Sequence, residues 1–103
     1  MAWASACALT DLSDGIPLGV TVDEVAVCVV VIGPELFAIH DECTHEAVPL
    51  SEGDVEDCII ECWRHGSRFD LRTGSVLNPP ALKDVTVYPI RLVEGQVQVD
   101  VAG

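Results

Sequence analysis

The sequence predicts a single all-β domain. A run of mostly β-branched residues extends from Val25 to Ile32, and such residues favour strands because they pack well on a pleated surface. Polar and apolar residues alternate with period two from Gln96 to Val101, which is typical of a strand with one face in water. No window shows sustained helical periodicity, and 103 residues, 50% of them hydrophobic, suffice for one modest core.

The N-terminal half contains one predicted hairpin. Residues Thr10 to Gly15 have the composition of a capped helical turn or a loop. The strand that begins at Val25 is ended by Gly33-Pro34 and followed by the apolar stretch Leu36 to His40, so we expect two strands joined by a tight turn. Short strands at regular spacing indicate a sandwich or a small barrel.

The composition changes between about residues 41 and 81, a segment called the insert below. Turn-forming residues, prolines and the candidate metal ligands accumulate there. Asp57 to Glu61 is a candidate short strand, Phe69 to Leu71 a strand end, and Arg72 to Ser75 a turn. A metal-binding insertion on a β scaffold would have this composition.

Two further strands are predicted near the C-terminal end. The segment Val85 to Val93 is rich in β-branched residues and turns at Glu94-Gly95 into the alternating segment described above. We therefore expect a second hairpin.

The charge of the chain argues against nucleic acid as a partner. The formal net charge is -12 and only 5 residues are Lys or Arg, whereas phosphate binding requires a basic surface. The acidity fits docking to positively charged partner proteins, and it fits equally well a role in solubility alone.

Nothing in the sequence indicates export or a membrane. The first residues lack the basic and apolar regions of a signal peptide, and the longest apolar run, Val25 to Gly33, is too short to cross a bilayer as a helix. Five cysteines are an odd count. We therefore expect a cytoplasmic protein in a reducing environment.

Two short motifs supply four candidate metal ligands. Cys43-x-His45 and Cys62-x-x-His65 are separated by 16 residues. Structural zinc sites usually group their cysteines and their histidines, and blue copper needs a weak axial ligand such as Met, for which only the first residue is available. One thiolate and one imidazole per motif suits a binuclear cluster in which one iron binds both cysteines and the other binds both histidines.

Together with the following stretch Gly66-Ser67-Arg68-Phe69-Asp70, the motifs resemble the Rieske [2Fe-2S] signature. The resemblance extends over nearly the whole chain, as one domain of residues 1–103. It implies an antiparallel β sandwich with a cluster-binding subdomain at about residues 41–81 and a proline loop beside the histidines. Asn78-Pro79-Pro80 matches that loop, although a plain surface turn would have the same composition. The resemblance also implies one cluster per chain, held by Cys43, His45, Cys62 and His65.

The first departure from the family pattern concerns cysteine. Rieske proteins of respiratory quinol complexes join their ligand loops by a disulfide, but Val48 and Arg64 stand at those positions here, so no such bridge can form. The remaining cysteines are expected to be small buried apolar residues, and these are Cys7, Cys28 and Cys58.

The second departure concerns the reduction potential. High-potential relatives supply hydrogen bonds to the cluster sulfurs from a Ser and a Tyr, and this chain keeps Ser67 but has Phe69 in place of the Tyr. A phenyl ring donates no hydrogen bond. We therefore predict a potential near the low end of the Rieske range, about -150 mV, which Ser67 raises slightly.

The resemblance implies a soluble electron-transfer ferredoxin rather than an enzyme. Such a protein passes single electrons from a ferredoxin reductase to a terminal oxygenase that hydroxylates aromatic rings in aromatic compound catabolism, and a monomer is the default for such a carrier. The alternatives are a Rieske ferredoxin of iron–sulfur cluster assembly, the small subunit of a nitrite-reductase-like complex, and a zinc-stabilised interaction domain.

Several residues near the motifs have expected roles of their own. His40 is expected to be an ordinary surface or packing histidine and not a ligand. Glu46, Trp63 and Arg64 adjoin the ligands and should lie at the exposed edge, where Trp63 either shields the cluster or contributes to docking. The remaining charges are expected to be solvated or to cap turns, and these are Asp70, Arg72 and Asp84.

Overall fold

The computed structural model describes residues 2–102 and confirms the predicted all-β, antiparallel architecture. Within the described residues, nine strands form three sheets of three strands each. The strands are β1 (Ala4–Ala8), β2 (Leu18–Val22), β3 (Val25–Ile32), β4 (Glu35–His40), β5 (Asp54–Glu56), β6 (Ile59–Glu61), β7 (Arg68–Asp70), β8 (Ile90–Val93) and β9 (Gln96–Val99). Single 3-10 turns lie at Leu9–Asp11 and Leu50–Glu52. Within residues 2–102, no helix has the length and hydrophobicity that a membrane crossing requires.

Two of the sheets pack face to face and form the sandwich. One has the strand order β2-β3-β4 and the other β1-β9-β8. Their shared core contains Val22, Val27 and Val29 from the first sheet and Val97 and Val99 from the second. Burial of this apolar surface is the main driving force for the packing of the two sheets.

The central strand β3 is buried on both faces. Successive side chains of a strand point to opposite sides, and Val27 and Val29 accordingly belong to the sandwich core, whereas Cys28 and Val30 belong to a second core that lies against the insert. All four are fully buried. This explains why β3 is a continuous apolar run rather than an alternating one.

The insert contributes the third sheet, with the strand order β5-β6-β7. Its three strands have only three residues each. Ile60 on β6 faces Phe69 on β7 in the register of the sheet, and both side chains are fully buried in the second core. One ligand motif lies in the loop between β4 and this sheet, and the other lies in the turn between β6 and β7.

Both predicted hairpins are confirmed. β3 and β4 pair around Gly33-Pro34, where Gly33 has φ +57°, a conformation that glycine adopts without strain. β8 and β9 pair around Glu94-Gly95, whose φ angles of 48° and 80° suit a tight two-residue hairpin turn.

The predicted strand from Val85 to Val93 is wrong in its first half. β8 begins only at Ile90, because Pro89 has no backbone N–H and cannot donate to a sheet ladder. The residues before it pair with β4 at separate points: His40 N donates to Thr86 O over 2.9 Å, and Tyr88 N donates to Ala38 O over 2.9 Å. The alternating C-terminal strand likewise ends at Val99 rather than Val101.

Three smaller predictions also need correction. The strand expected from Asp57 begins at Ile59, because Asp57 and Cys58 have positive φ angles and form the turn between β5 and β6. The strand end expected at Phe69 to Leu71 is β7, shifted by one residue. The helical turn expected within residues 10–15 is a 3-10 turn that begins at Leu9. The strands β1, β2 and β5 were not predicted.

Candidate metal centre

The first ligand motif lies in a loop that follows β4. Asp41 anchors the start of this loop, because its carboxylate accepts from Ser51 N over 2.7 Å and from Ser51 Oγ over 2.6 Å. Cys43 N donates to Val48 O over 2.9 Å. These bonds fix the backbone on both sides of the Cys43 side chain.

The second ligand motif forms the turn between β6 and β7. Cys62 N donates to Ser67 O over 2.8 Å, and Gly66 N donates to Cys62 O over 3.1 Å. Gly66 has φ +77°, which favours glycine because a side chain would strain the backbone. The tight turn brings Cys62 and His65 close together in space.

The proline loop and the residues that follow it are hydrogen-bonded to both ligand loops. Asn78 Nδ2 donates to Gly66 O over 2.9 Å, and Asn78 Oδ1 accepts from Arg68 N over 2.7 Å. On the other side, Thr44 Oγ1 donates to Lys83 O over 2.6 Å. The loop is therefore part of the framework of the site rather than a plain surface turn. The bonds of Thr44 and Asn78 were not anticipated, since their motifs carry no signal of a distant partner.

The two candidate thiols form a buried pair. Cys43 is 3% exposed and Cys62 is 2% exposed. Burial raises the pKa of the Cys62 thiol, and contact with the Cys43 side chain raises it further, whereas the backbone N–H groups of Arg64 and His65 lower it. Two such thiols become thiolates readily when a metal ion supplies the compensating positive charge.

The two imidazoles form a separate and more exposed pair. The ring centroids of His45 and His65 lie 5.5 Å apart and the rings meet edge to face. Their side chains are 36% and 47% exposed. Buried thiols and exposed imidazoles thus lie on the same two loops.

The four candidate ligands do not converge on one point. Within residues 2–102, the ligand-type atoms that approach within 4.8 Å of one another in a group of three or more belong to His45, Glu46 and His65. Neither cysteine belongs to this group. In a mononuclear tetrahedral site, all four ligand atoms would surround one metal ion, each at about 2.0–2.3 Å from it. The chemistry and placement of the pairs fit two metal ions, one held by sulfur and one by nitrogen.

The residues around the ligands lie where expected. Trp63 is 53% exposed, and Arg64 and Glu46 form an ion pair over 3.0 Å at the edge of the site. Ser67 is buried and its Oγ accepts from Ala81 N over 2.9 Å. The contact of Glu46 with both imidazoles was not predicted.

The other expectations have mixed outcomes. His40 is bonded to the Tyr88 hydroxyl over 3.1 Å and is not part of the ligand group. Cys28 is fully buried, as predicted, but Cys7 and Cys58 are only half-buried, because they lie at the margins of their cores. Neither is disulfide-bonded.

The expected turn caps are present. The carboxylates of Asp70 and Asp84 accept from the backbone N–H groups of Arg72 and Val76. Arg72 also forms an ion pair with Glu35 over 3.0 Å, which joins the insert to β4.

Comparison with known proteins gives consistent matches over both the sandwich and the insert. The model of the Rieske [2Fe-2S] domain family matches residues 2–89. The anthranilate 1,2-dioxygenase ferredoxin subunit of Burkholderia cepacia is 41% identical over 99 residues, which are 96% of this chain and 92% of that protein.

Two solved structures show the same fold. The ferredoxin of carbazole 1,9a-dioxygenase from Nocardioides aromaticivorans aligns with a TM-score of 0.91 and 30% identity over 96% of this chain and 97% of that chain. A chain from a complex of reduced oxygenase and oxidized ferredoxin in carbazole 1,9a-dioxygenase aligns with a TM-score of 0.87 and 33% identity over 94% of this chain and 91% of that chain.

Proposed function

Because the chain belongs to the family of Rieske [2Fe-2S] domain proteins, we propose that it is the ferredoxin of a ring-hydroxylating dioxygenase system. It carries single electrons from a ferredoxin reductase to a terminal oxygenase and is not itself an enzyme. The observation that carries the proposal is the arrangement of a buried thiol pair beside an exposed imidazole pair. The names of its relatives support the same role.

Different residues of the insert bind the two irons of the cluster. Cys43 and Cys62 hold one iron and His45 and His65 hold the other, within a cluster-binding subdomain of residues 41–81. The cluster supplies reversible one-electron chemistry when bound. The cysteines keep the sulfur side away from water, and the half-exposed imidazoles provide the edge through which a partner exchanges the electron.

Two exposed apolar side chains adjoin this edge. Trp63 is on the second ligand loop. Leu82 is 84% exposed and precedes Lys83, whose carbonyl accepts from Thr44 on the first ligand loop. Exposed aromatic and apolar side chains of this kind are typical anchors of transient interfaces. We propose that they form the docking surface for the oxygenase, and that the net charge of -12 steers basic partner surfaces towards the protein.

A reconstituted electron-transfer chain tests the function. The protein is mixed with a ferredoxin reductase, NADH and a ring-hydroxylating oxygenase, and hydroxylated product is expected only when this chain is present. Trp63→Ala and Leu82→Ala are expected to slow electron transfer to the oxygenase several-fold with unchanged cluster spectra. Leu92→Ala on β8, whose side chain is 47% exposed in the sandwich, is the control and should transfer electrons at the wild-type rate.

The same preparation separates the alternatives. A Rieske protein is brown and gives a characteristic paramagnetic signal when reduced, whereas a zinc domain is colourless and diamagnetic. A Rieske ferredoxin of cluster assembly would have the signal but would fail to support any oxygenase. A small subunit of a nitrite-reductase-like complex would also fail to support an oxygenase, with the signal or, where the fold is only a structural module, without it. A cytoplasmic, monomeric state completes the proposal; five unpaired cysteines support a reducing compartment.

A further inference from the structure

We propose that Glu46 is a positioning residue that holds the His65 imidazole by its outer nitrogen, lies beside the outer nitrogen of His45 and, with Arg64, sets the charge at the edge where the electron leaves. The inference rests on the proposed ligand roles of His45 and His65. Nothing in the ligand motifs themselves requires an acid at position 46.

The Glu46 carboxylate contacts two imidazoles and one guanidinium at once. Its Oε1 lies 3.1 Å from Nε2 of His65 and 3.8 Å from Nε2 of His45. Its Oε2 lies 3.0 Å from Nε of Arg64. Both rings therefore direct the same nitrogen towards the same oxygen, at hydrogen-bond distance for His65 and at a longer electrostatic contact for His45.

This placement selects the nitrogen that faces the metal. When Nε2–H of an imidazole donates to a carboxylate, Nδ1 keeps the free lone pair that binds a metal ion. Carboxylates that accept from the outer nitrogen of a ligand histidine fix the orientation of the ring. Glu46, on the first loop, makes this hydrogen bond to His65 on the second loop, and its carboxylate lies at electrostatic contact distance from the same nitrogen of His45.

The backbone of Glu46 is fixed by the loop that carries it. Val48 N donates to Glu46 O over 2.7 Å, and Val48 O accepts from Cys43 N over 2.9 Å. The carboxylate therefore projects from an ordered turn, and its partners His65 and Arg64 lie on the other ligand loop. One side chain thus joins the two loops at their exposed end.

The charges of Glu46 and Arg64 affect the reduction potential of the cluster more than they affect the stability of the fold. The side chains of Glu46 and Arg64 are 35% and 51% exposed, and solvent screening makes such a pair a weak contributor to folding. The potential of an iron–sulfur cluster, however, responds to nearby charge. A carboxylate beside the imidazoles opposes an incoming electron, and a guanidinium favours it.

Redox titration of purified variants tests the charge effect. Glu46→Gln keeps an acceptor oxygen and removes the charge, so its midpoint potential should lie above that of the wild type. Arg64→Gln should shift the midpoint in the opposite direction. Glu56→Gln is the matched control: it removes the same charge from an exposed position on β5 and should leave the midpoint within error.

Iron retention tests the positioning effect separately. Glu46→Ala removes the acceptor as well as the charge, so the rings should be less well fixed. We expect faster loss of iron to a chelator and a broader paramagnetic signal than in Glu46→Gln, which should behave like the wild type in both respects.

Two outcomes would overturn the inference. A midpoint shift in Glu46→Gln no larger than that in Glu56→Gln would exclude the charge effect, and equal iron retention in Glu46→Ala and Glu46→Gln would exclude the positioning effect. A wild-type protein without the Rieske signal would instead refute the proposed function. The two failures are therefore distinguishable.

Discussion

The sandwich and the insert hold their shapes by different means. The central strand of the sandwich has eight residues and packs apolar side chains against both neighbouring layers. The insert has strands of three residues, and its loops are fixed by side chains that bond to distant backbone groups, as Asp41, Thr44 and Asn78 do.

Because of this difference, the fold and the site should depend on the cluster to different degrees. Burial of apolar surface does not depend on a cofactor, whereas loops fixed by a few polar contacts gain stability from anything that binds only their folded form. We therefore expect the sandwich to fold without metal and the ligand loops to depend on the cluster for their order.

Removal of a ligand should give the largest effect, because it should abolish cluster binding by the insert and leave the sandwich folded. Cys62→Ser removes one of the two sulfurs proposed to hold the first iron, so we expect near-complete loss of iron and of the reduced-state paramagnetic signal. The β-sheet signal in circular dichroism should persist, because within residues 2–102 the core between the two sandwich sheets contains none of the four proposed ligands.

A matched cysteine provides the control for that experiment. Cys58→Ser changes a half-buried thiol in the turn between β5 and β6, outside the proposed ligand set, and should keep its iron. Loss of iron from this variant, or retention by Cys62→Ser, would contradict the ligand assignment.

Truncation of a core side chain in the insert should have the next largest effect. Ile60 is fully buried on β6, two residues before Cys62, and Ile60→Ala should reduce the free energy of unfolding by about 2–5 kcal/mol. Because the cavity lies in the insert, iron should also be lost to a chelator faster than from the wild type. Urea unfolding and the decay of the visible absorbance measure the two effects.

An exposed isoleucine tests whether burial is the cause. Ile16 is 60% exposed, and Ile16→Ala should change the free energy of unfolding by less than about 0.5 kcal/mol. Equal destabilisation of both variants would contradict the idea that the packing of β6 supports the second ligand loop. Iron loss from Ile60→Ala at the wild-type rate would contradict it as well.

The same contrast explains what could be predicted from the sequence. The hairpins β3-β4 and β8-β9 are local, and their turn residues stand between the strands that pair. The pairing of β1 with β9 joins residues as far apart as Ala4 and Val99, and no local pattern indicates such a partner. β1 was missed for this reason. β2 and β5 pair with the next strands along the chain, but their turns at Asp23-Glu24 and Asp57-Cys58 lack the glycine that marks a two-residue hairpin in a sequence.

The candidate site likewise has a part that could be predicted from the sequence and a part that could not. The spacing of the two motifs indicated four ligands and a binuclear cluster, because ligand type and interval are properties of the sequence. The contacts that orient those ligands connect separate loops: Glu46 meets His65 across 19 positions and Asn78 meets Gly66 across 12. They depend on how the loops of the insert fold against one another, and that is visible only in three dimensions.

The smallest expected effect concerns Ser67, where the framework of the insert and the tuning of the cluster meet. Its buried Oγ accepts from Ala81 N over 2.9 Å, and its own hydrogen remains available to donate to a cluster sulfur. Ser67→Ala leaves the Ala81 N–H without this acceptor, so we expect a loss of about 1–3 kcal/mol in the free energy of unfolding. Loss of a donor to sulfur should also lower the midpoint potential.

Thr73 supplies the comparison that separates these two consequences. Thr73→Ala removes a hydroxyl that is bonded to Ser75 in the exposed turn after β7 and should change neither quantity measurably. A lower stability of Ser67→Ala with an unchanged midpoint would make Ser67 a framework residue only. A lower midpoint together with the lower stability would show that one hydroxyl both ties the proline loop to the second ligand loop and tunes the cluster.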